Sequence, residues 1–402
     1  MLFFRRASAV AVGLVLFGGC ILDRSAGLTD APATGGTSDV GGQPATGGAG
    51  GVGGSGATGG GGGSVCGNDT VEGDELCDGT DLGGQDCTMA GYSNPDGLAC
   101  TSTCDGVVSD GCAATCGDGM PEPGEECDDA NQDPLDGCMD CKLVDGTCSA
   151  PYPITLTVGS GRVLMGDTVQ AMDESLADCV NDMVGGPEHV FAITAGDAGF
   201  LTAWLDPSGT AFDSILYASA TCGDSDRACA DTFDNTNPLH GGEVVSFELA
   251  DNETIYLTVD GFSAGDGAYE LHLSLSAGTC ADPVELPLWS GIEMCASGST
   301  TGKTDEEGEM TCGGDMSGDV VYHLQPMVAG SLAVSLESNY DSVIAAYNIC
   351  GDAMSFVACD GGGGPETLNL TTTGPGDEGF IWADGAAGAA GRYTLCIDPP
   401  GP

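Results

Sequence analysis

The sequence predicts an all-β protein: two tandem jelly-roll-like β-sandwiches, preceded by two small disulfide-rich modules and a disordered, Gly-rich tether. Three observations lead to this fold class. About 250 C-terminal residues contain one long internal repeat with period-two apolar residues. Residues 66–148 contain 11 cysteines, a density typical of disulfide scaffolds. Residues 25–65 contain 17 glycines and no aromatic residue, a composition that does not form a packed core.

The N-terminus predicts export. Arg5 and Arg6 precede an uncharged stretch, 7–19, which is too short to span a bilayer and fits the apolar region of a signal peptide covering residues 1–19. The stretch ends in Gly-Gly before Cys20 and resembles a bacterial lipobox, which implies diacylglycerol on Cys20 and a lipid anchor in the membrane. An ordinary signal peptide with a coincidental cysteine is the alternative. Without Cys20, the other 20 cysteines can pair completely.

Residues 20–65 form the predicted tether behind the lipidated cysteine. The motif PATGG occurs at Pro32 and again at Pro44. So little apolar surface cannot offset the entropy of ordering the chain. A random coil of this length spans about 35 Å, so we expect it to hold the folded part away from the membrane, at the outer membrane or cell surface.

Two cysteine-rich units follow, at 66–112 and 113–147. Each begins with Cys-Gly, and the separation from Cys66 to Cys77 equals that from Cys116 to Cys127. The second unit, with CGDG, GEECDD and DGC, resembles a disulfide-rich repeat of exported myxobacterial proteins, and the first resembles a companion form of it. The resemblance implies an extracellular, non-catalytic spacer or interaction module without a defined ligand. It leaves the pairing within 66–141 open.

One loop of the second module contains closely spaced hard oxygen donors of the kind that Ca²⁺ prefers. They are Asp128, Asp129, Asn131, Asp133 and Asp136. Pro134 stands where an EF-hand loop needs glycine, so the loop is not an EF-hand. The alternative is a turn-rich loop in which the Asp and Asn side chains bond their own backbone. No other cofactor is predicted.

The internal repeat divides the rest of the chain into sandwich 1, 148–277, and sandwich 2, 278–402. Four segments recur in the same order: GTC at Gly146 and Gly278, a strand motif at Gly199 and Gly330, TIYLTVDG at Thr254 and EGFIWADG at Glu378, and GAYELHL at Gly267 and GRYTLCI at Gly391. Alternating apolar residues predict half-buried strands, and turn clusters separate them. Seven or eight strands in ~130 residues favour a β-sandwich or jelly roll.

The repeat resembles the bacterial pre-peptidase C-terminal domain, a jelly-roll-like sandwich appended to exported hydrolases and surface proteins. The likeness rests on five segments of the two copies: 199–205, Phe212-Asp213-Ser214 with Tyr340-Asp341-Ser342, 256–259, 267–269 and 391–393. The cysteines are additional to the generic pattern.

Equivalent cysteines in the two copies predict the disulfides. We expect Cys222–Cys229 and Cys350–Cys359 to close short loops, and Cys148–Cys179 and Cys280–Cys312 to form a second equivalent set. Cys295 and Cys396 occur only in sandwich 2 and should bond to each other. Cys148 could instead close the second small module, which would leave Cys179 unpaired.

The net charge of −53, with only 8 Lys and Arg, excludes a nucleic-acid partner of the usual kind. No duplicated His and no nucleophile elbow is present, and the recurring Asp213 and Asp341 are either ligand-binding or packing residues. The sequence therefore favours a non-enzymatic surface lipoprotein acting in adhesion, matrix attachment or partner binding. One alternative is a polysaccharide-binding accessory protein of a secreted hydrolase system, with Trp204, Trp289 and Trp382 stacking on sugars. A hydrolase with an unfamiliar site is the other alternative.

Overall fold

The computed structural model describes residues 65–180, 185–231, 240–289, 291–306, 312, 317–362 and 364–401. The predicted signal peptide, Cys20 and the tether up to residue 64 lie outside the described residues. Within those ranges the longest helix has four residues and regular structure is otherwise strand, so the all-β prediction is confirmed. No helix in these ranges has the length and apolarity to cross a membrane.

Each small module is built on disulfides around short strands. The first contains a 3₁₀ helix (Cys87–Ala90), β1 (Ala99–Cys100) and β2 (Val107–Val108) with bonds Cys66–Cys104, Cys77–Cys100 and Cys87–Cys112. The second contains a 3₁₀ helix (Pro134–Asp136), β3 (Cys138–Met139) and β4 (Lys142–Leu143) with bonds Cys116–Cys141 and Cys127–Cys138. Leu135, Met139 and Val144 of the second module pack onto the core of sandwich 1.

Each sandwich has nine strands, where seven or eight were expected. Sandwich 1 contains β5 (Tyr152–Leu156), β6 (Ser160–Asp167), a 3₁₀ helix (Thr168–Gln170), β7 (His189–Ala195), β8 (Gly199–Leu205), β9 (Ser214–Ser219), β10 (Asp226–Ala230), β11 (Val244–Leu249), β12 (Thr254–Gly261) and β13 (Ala268–Ser276). Sandwich 2 contains β14 (Val284–Leu288), β15 (Met294–Ser299), β16 (Val320–Pro326), β17 (Ala329–Ser338), β18 (Ser342–Tyr347), a 3₁₀ helix (Ala353–Ser355), β19 (Phe356–Gly361), β20 (Glu366–Thr373), β21 (Gly379–Gly385), a 3₁₀ helix (Ala386–Gly388) and β22 (Arg392–Asp398).

The two copies have one topology. In sandwich 1 the sheet β10-β9-β12-β7-β5 packs against β11-β8-β13-β6, and in sandwich 2 the sheet β19-β18-β21-β16-β14 packs against β20-β17-β22-β15. Consecutive strands of each copy alternate between the facing sheets, except in the hairpins β9–β10 and β18–β19, whose two strands are neighbours in one sheet. The additional first strand, β5 or β14, lies parallel to β7 or β16. The predicted jelly-roll-like sandwiches are therefore confirmed.

Period-two side chains fill both cores. Leu201, Ala203 and Leu205 of β8 are fully buried in sandwich 1, and Leu332, Val334 and Leu336 of β17 occupy the equivalent positions in sandwich 2. Because successive side chains on a strand point to opposite faces, this spacing directs one face of each strand into the core. Each such burial contributes about 1.5–3 kcal/mol for a leucine or valine.

The two sandwiches share one eight-stranded sheet. Strand β11 pairs in parallel with β15, with Ser246 opposite Ala296 and Phe247 opposite Ser297. Partners in a pair point to the same side of a sheet. Since Phe247 belongs to the core of sandwich 1 and Ala296 to that of sandwich 2, the two cores lie on opposite faces of the shared sheet.

Phe200 reinforces this junction. Its ring extends from β8 into the core of sandwich 2 and lies against Gly298 of β15, where a Cβ atom would come within 2.6 Å of a ring carbon. Lys303 Nζ lies 4.7 Å from the centroid of the same ring and 2.7 Å from Glu248 Oε1. A side chain of any size at position 298 would therefore push the two copies apart.

Four of the predicted disulfides in the sandwiches are wrong. The structure has Cys148–Cys222, Cys179–Cys229, Cys280–Cys350 and Cys312–Cys359 in place of Cys222–Cys229, Cys350–Cys359, Cys148–Cys179 and Cys280–Cys312. Cys295 and Cys396, which the sequence pairs, are bonded and lie opposite each other on β15 and β22. The equivalence of cysteines between copies is retained, and the partners are exchanged in the same way in both.

Hairpin geometry explains the exchange. Asp226 lies opposite Ser219 where the β9–β10 pairing ends, and Cys222 lies in the loop beyond it. Cys229 is three strand residues farther from that loop, a distance of roughly 10 Å. A disulfide needs Cα atoms within about 7 Å, so Cys222 bonds instead to Cys148, at the entrance to β5, and Cys229 bonds to Cys179.

Candidate binding groove at the junction of the two sandwiches

A polar groove of about 710 Å³ lies where the sandwiches meet. It is lined by the ends of β10 and β11 from sandwich 1 and of β15, β17 and β22 from sandwich 2, through Arg227, Glu248, Ser297, Ser299, Glu337, Ser338, Asn339, Arg392 and Thr394. Hydroxyl, amide, carboxylate and guanidinium groups are all present. We call this site the junction groove.

Basic side chains are concentrated at the junction. The described residues include five Lys and Arg, and Arg227, Lys303 and Arg392 are located there. Arg227 Nη1 lies 2.6 Å from Glu253 Oε1, its Nη2 donates to the Glu248 carbonyl oxygen, and its guanidinium lies 4.7 Å from the Phe247 ring centroid. These contacts hold the planar guanidinium in place, and such a group suits carboxylate recognition.

Arg392 approaches the groove from the other sandwich. Its backbone N–H donates to Asn339 Oδ1 at 3.0 Å and its carbonyl oxygen accepts from the Asn339 N–H at 3.1 Å. No partner of its guanidinium is found among the described residues, and the residue is exposed. In a chain with a net charge of −53, this arginine is an accessible cation suited to an anionic group.

Neither arginine belongs to the repeat. Register places Val357 of β19 at the position equivalent to Arg227, and Ala268 of β13 at the position equivalent to Arg392. The groove is therefore a property of the junction and is not repeated within either sandwich. Sequence reasoning missed it because nothing in the local pattern brings residues 227 and 392 together. The small number of basic residues was the one available signal.

A second feature is a pair of buried carboxyl groups beside β7 and β12. Glu188 and Asp260 are 3% and 0% exposed. Asp260 Oδ1 accepts from the N–H groups of Gly186 and Gly261, at 3.1 and 2.6 Å, and Glu188 Oε1 accepts from Ser175. The other oxygen of each is buried with no hydrogen-bond partner among the described residues.

Burial raises the pKa of Asp260 to about 7, and repulsion by the Glu188 carboxylate adds to this shift. Burial also raises the pKa of Glu188 to about 6, with repulsion by Asp173 adding to it. Sandwich 2 has the equivalent pair Asp319 and Asp384, both buried. There, burial followed by contact with Asp319 holds the pKa of Asp384 well above its usual range. The oxygens of Glu188 and Asp260 are chemically suited to a proton or to a hard cation. Asp-Gly commonly forms hairpin turns, but Asp260 and Asp384, each followed by glycine, lie in strands β12 and β21.

The recurring Asp-Ser motifs are packing elements through their serines. Ser214 Oγ donates to Glu243 Oε2 at 2.7 Å, and Ser342 Oγ donates to Glu366 Oε2. All four residues are buried. Asp341 is exposed. A buried acid that accepts from the equivalent serine in both copies stabilises the interior, and the motif needs no ligand to account for it.

The calcium hypothesis for the second module stays a prediction. Asp128 accepts from the N–H groups of Gly117, Gly119 and Ala130, while Asp129, Asn131 and Asp133 each accept from an N–H two residues on. Asn131 Nδ2 donates to Asp136 Oδ2 at 2.8 Å, and Asp136 also accepts from the Cys138 N–H. These are the contacts expected of the turn-rich alternative.

Other clusters of metal-ligating residues in the described ranges are centred on bonded cysteines, as in Cys66–Asp78–Cys104. Their sulfurs are engaged in disulfides and are not thiolate ligands.

The alternative in which three tryptophans stack on sugars is wrong for two of them. Trp382 is fully buried and Trp289 is 9% exposed, so neither can stack on a sugar. Trp204 is half-buried, and its ring stacks on His272 at 4.8 Å.

Three histidines contact neighbouring side chains. His272 Nε2 lies 2.8 Å from Glu270 Oε1, His323 Nδ1 lies 2.8 Å from Glu285 Oε2, and His189 Nδ1 lies 2.8 Å from the Tyr269 hydroxyl.

No protein-family model matches the chain. Among solved structures it is similar to the pre-peptidase C-terminal domain of a collagenase from Bacillus anthracis, at 16% identity over 29% of this chain and 94% of that chain, with a TM-score of 0.21. It is also similar to the tandem CBM22 domains of Xyn10C from Paenibacillus barcinonensis, at 10% identity over 60% of this chain and 92% of that chain, with a TM-score of 0.17. The PBSX exported protein XepA matches at 12% identity over 60% and 87% of the two chains, with a TM-score of 0.18. Likenesses at this level say nothing of what the chain binds.

Proposed function

We propose that this chain is a non-enzymatic binding protein of the cell surface, and that its junction groove binds a carboxylate-bearing polysaccharide of the extracellular matrix. The observation that carries the proposal is the placement of Arg227 and Arg392, one from each sandwich, in a groove whose other polar lining groups are hydroxyls, an amide and the carboxylates of Glu248 and Glu337.

The groove has the two kinds of chemistry that such a ligand needs. Ser297, Ser299 and Thr394 offer hydroxyl groups to the hydroxyls of a sugar ring. The arginines offer planar donors to carboxylates, and charge-assisted bonds of this type are stronger than neutral ones. An acidic ligand would otherwise be repelled by a protein of net charge −53, so recognition depends on these arginines.

The contacts of the histidines and cysteines support the absence of catalysis. Three histidines contact Tyr269, Glu270 and Glu285, and none of these contacts pairs a base with a serine or cysteine nucleophile. The 20 cysteines after Cys20 are bonded in ten disulfides, which indicates an oxidising, extracytoplasmic environment.

Attachment is the second part of the proposal. A lipid on Cys20 would anchor the chain in the outer membrane, and the Gly-rich segment would carry the sandwiches outward to the matrix. Cys20→Ser should move the protein from the membrane fraction to the soluble fraction of the envelope. Membrane association that is unchanged by this substitution would exclude the lipid anchor and leave the binding proposal intact.

Titration with oligogalacturonate tests the binding proposal by calorimetry. We expect saturable binding to the wild-type chain and affinity at least tenfold lower for Arg392→Gln, since a hydrogen bond to a charged group contributes about 1.5–3 kcal/mol. Arg162→Gln is the matched control, because Arg162 is an exposed arginine on β6 outside the groove. Neutral dextran should not bind. Equal affinities for the two variants, or no binding of the acidic glycan, would overturn the proposal.

A further inference from the structure

The shared sheet ends in two free edges that are equivalent to the strands paired inside it. Its order is β20-β17-β22-β15-β11-β8-β13-β6, so β20 and β6 are the outer strands. In the repeat β20 is the equivalent of β11, and β6 is the equivalent of β15. The contact between β11 and β15 is therefore one that β20 and β6 of two different chains can repeat.

Register defines what this repeated contact would join. Ser246 and Phe247 of β11 correspond to Asn369 and Leu370 of β20, because both pairs lie opposite equivalent residues of β8 and β17. By the same comparison through β13 and β22, Ala296 and Ser297 of β15 correspond to Leu164 and Met165 of β6. Parallel pairing between chains then sets Asn369 opposite Leu164, and Leu370 opposite Met165.

At both free edges, exposed apolar side chains occupy positions whose equivalents at or beside the contact between β11 and β15 are polar residues or cysteine. Val163 and Met165, at 54% and 73% exposed, correspond to Cys295 and Ser297. At the other end Val357, at 47% exposed, corresponds to Arg227, beside the exposed Phe356. Exposed apolar groups at both ends of a strongly acidic chain indicate surfaces that become covered.

The edges have few of the features that usually prevent edge-to-edge pairing. Strand β6 contains Arg162 and, as its last residue, Asp167, whereas β20 contains the buried Glu366 as its first residue, and neither strand contains proline. Charged side chains and prolines are the common protections of exposed edge strands. With 61 acidic residues in the chain, the scarcity of negative charge on these two strands keeps electrostatic repulsion between copies low at this contact.

We propose that chains associate head to tail, with β20 and β19 of one chain against β6 of the next, so that the shared sheet continues from molecule to molecule. The occupant of each edge is a second copy of this chain. Because the two surfaces differ, the contact is heterologous and leaves a free end after every addition, which gives linear arrays. The second small module packs on sandwich 1 yet leaves Val163 and Met165 exposed.

We expect the contact between chains to be weaker than the contact between β11 and β15 within one chain. Phe200 and Val244 of sandwich 1 are buried in the core of sandwich 2, and their equivalents in sandwich 2 are Ser331 and Thr367. Contact between chains lacks this apolar anchor and the covalent link, so we expect reversible, concentration-dependent association. Binding of polysaccharide is not required for it.

Sedimentation velocity of the full mature chain carrying Cys20→Ser tests the proposal over a hundredfold range of protein concentration. Met165→Lys disables the β6 end, and Val357→Lys disables the β19–β20 end. Met120→Lys is the matched control, since Met120 is an exposed methionine of the second small module. Circular dichroism and a thiol assay on each variant verify folding and disulfide formation.

We expect the wild-type chain and Met120→Lys to sediment faster as concentration rises, and each end variant alone to remain a monomer. An equimolar mixture of Met165→Lys and Val357→Lys should form a one-to-one complex and nothing larger, because each partner retains the end that the other lacks. A wild-type chain that stays monomeric throughout overturns the proposal. Self-association of either end variant, or a mixture that does not associate, also overturns the head-to-tail arrangement.

Discussion

The β10 strand of sandwich 1 contains Arg227, whereas the equivalent position of β19 in sandwich 2 is Val357. Likewise, β22 contains Arg392 where β13 has Ala268. The two sandwiches thus differ at the surfaces that meet, where arginines from both line the junction groove, and at the outer ends, which are apolar. The two copies have equivalent interiors, and they differ at the surfaces that carry the proposed binding groove and the proposed contacts between chains.

The interiors of the two sandwiches, in contrast, are alike. Two disulfides, one buried Ser–Glu hydrogen bond and one pair of buried carboxyl groups recur in each copy. If these features are structural, equivalent substitutions in the two copies should have equal effects. If the differing surface residues are functional, their substitution should change binding or association and leave stability unchanged.

The largest effect expected in this comparison is loss of the longer of the two disulfides that recur in both copies. Cys148–Cys222 and Cys280–Cys350 have sequence separations of 74 and 70, and loops of this size predict a loss of about 4 kcal/mol for each double Cys→Ala variant. Urea unfolding should give similar losses for the two variants. Peptide mapping of the unreduced protein checks the pairing itself: a peptide joining Cys222 to Cys229 would contradict it.

The buried carboxyl groups should make stability fall as pH rises. Raised pKa values mean that the folded chain binds more protons than the unfolded chain, so their contribution is complete below about pH 4 and is lost as pH rises through about 7 for Asp260. The loss should be about 4 kcal/mol for Asp260, and in sandwich 2 it should extend to higher pH because the pKa of Asp384 is raised further.

Melting temperatures between pH 4 and 9 measure this dependence. Asp260→Asn should flatten the part between pH 4 and 7, whereas Asp341→Asn, which alters an exposed carboxylate of the same repeat, should not. A melting temperature for Asp260→Asn that declines with pH as steeply as that of the wild type would count against a protonated pair.

The sequence alone predicts the strands and the fold class, but it does not predict the shared sheet or the groove. Period-two leucines such as Leu201 and Leu332 suffice to predict the strands and the class, because burial on one face repeats along the chain. The shared sheet depends on two residue pairs, Ser246–Ala296 and Phe247–Ser297, which have no distinctive pattern. The groove was equally hidden, since Arg227 and Arg392 meet only through that pairing.

The disulfides show a different limit. Equivalence between copies correctly identified the sets of cysteines but could not choose partners within a set, because that choice depends on where each cysteine lies along the β9–β10 and β18–β19 hairpins. The position of Asp260 could not be predicted for a related reason. Asp-Gly commonly forms turns, and only the completed fold shows that this Asp-Gly pair ends a buried strand.

A smaller effect is expected from the serine of each Asp-Ser motif. Ser214→Ala and Ser342→Ala each leave a buried glutamate without its hydroxyl donor, which should cost about 2 kcal/mol in either copy. Asp341→Ala removes an exposed side chain and should change the free energy of unfolding by less than ~0.5 kcal/mol. Chemical denaturation separates these outcomes, and a larger effect for Asp341→Ala than for Ser342→Ala would reverse the assignment.

The smallest expected effect is that of replacing Trp204, which distinguishes binding in the junction groove from stacking of a sugar on this tryptophan. Trp204→Leu keeps an apolar side chain on β8 and removes the aromatic face, so the affinity for oligogalacturonate should stay within about twofold of the wild type. Calorimetry on this variant beside Arg392→Gln checks the point. A loss of affinity confined to Trp204→Leu would move the binding site from the junction to the face of sandwich 1.

Hydrogen exchange with and without oligogalacturonate tests the central claim most directly, because the two sandwiches serve as controls for each other. The account predicts added protection at 297–299, 337–339 and 392–394, which line the groove, and none at the equivalent segments 165–167, 206–208 and 268–270 of sandwich 1. Equal protection of both sets, or protection of neither set under saturating ligand, would contradict a binding site at the junction.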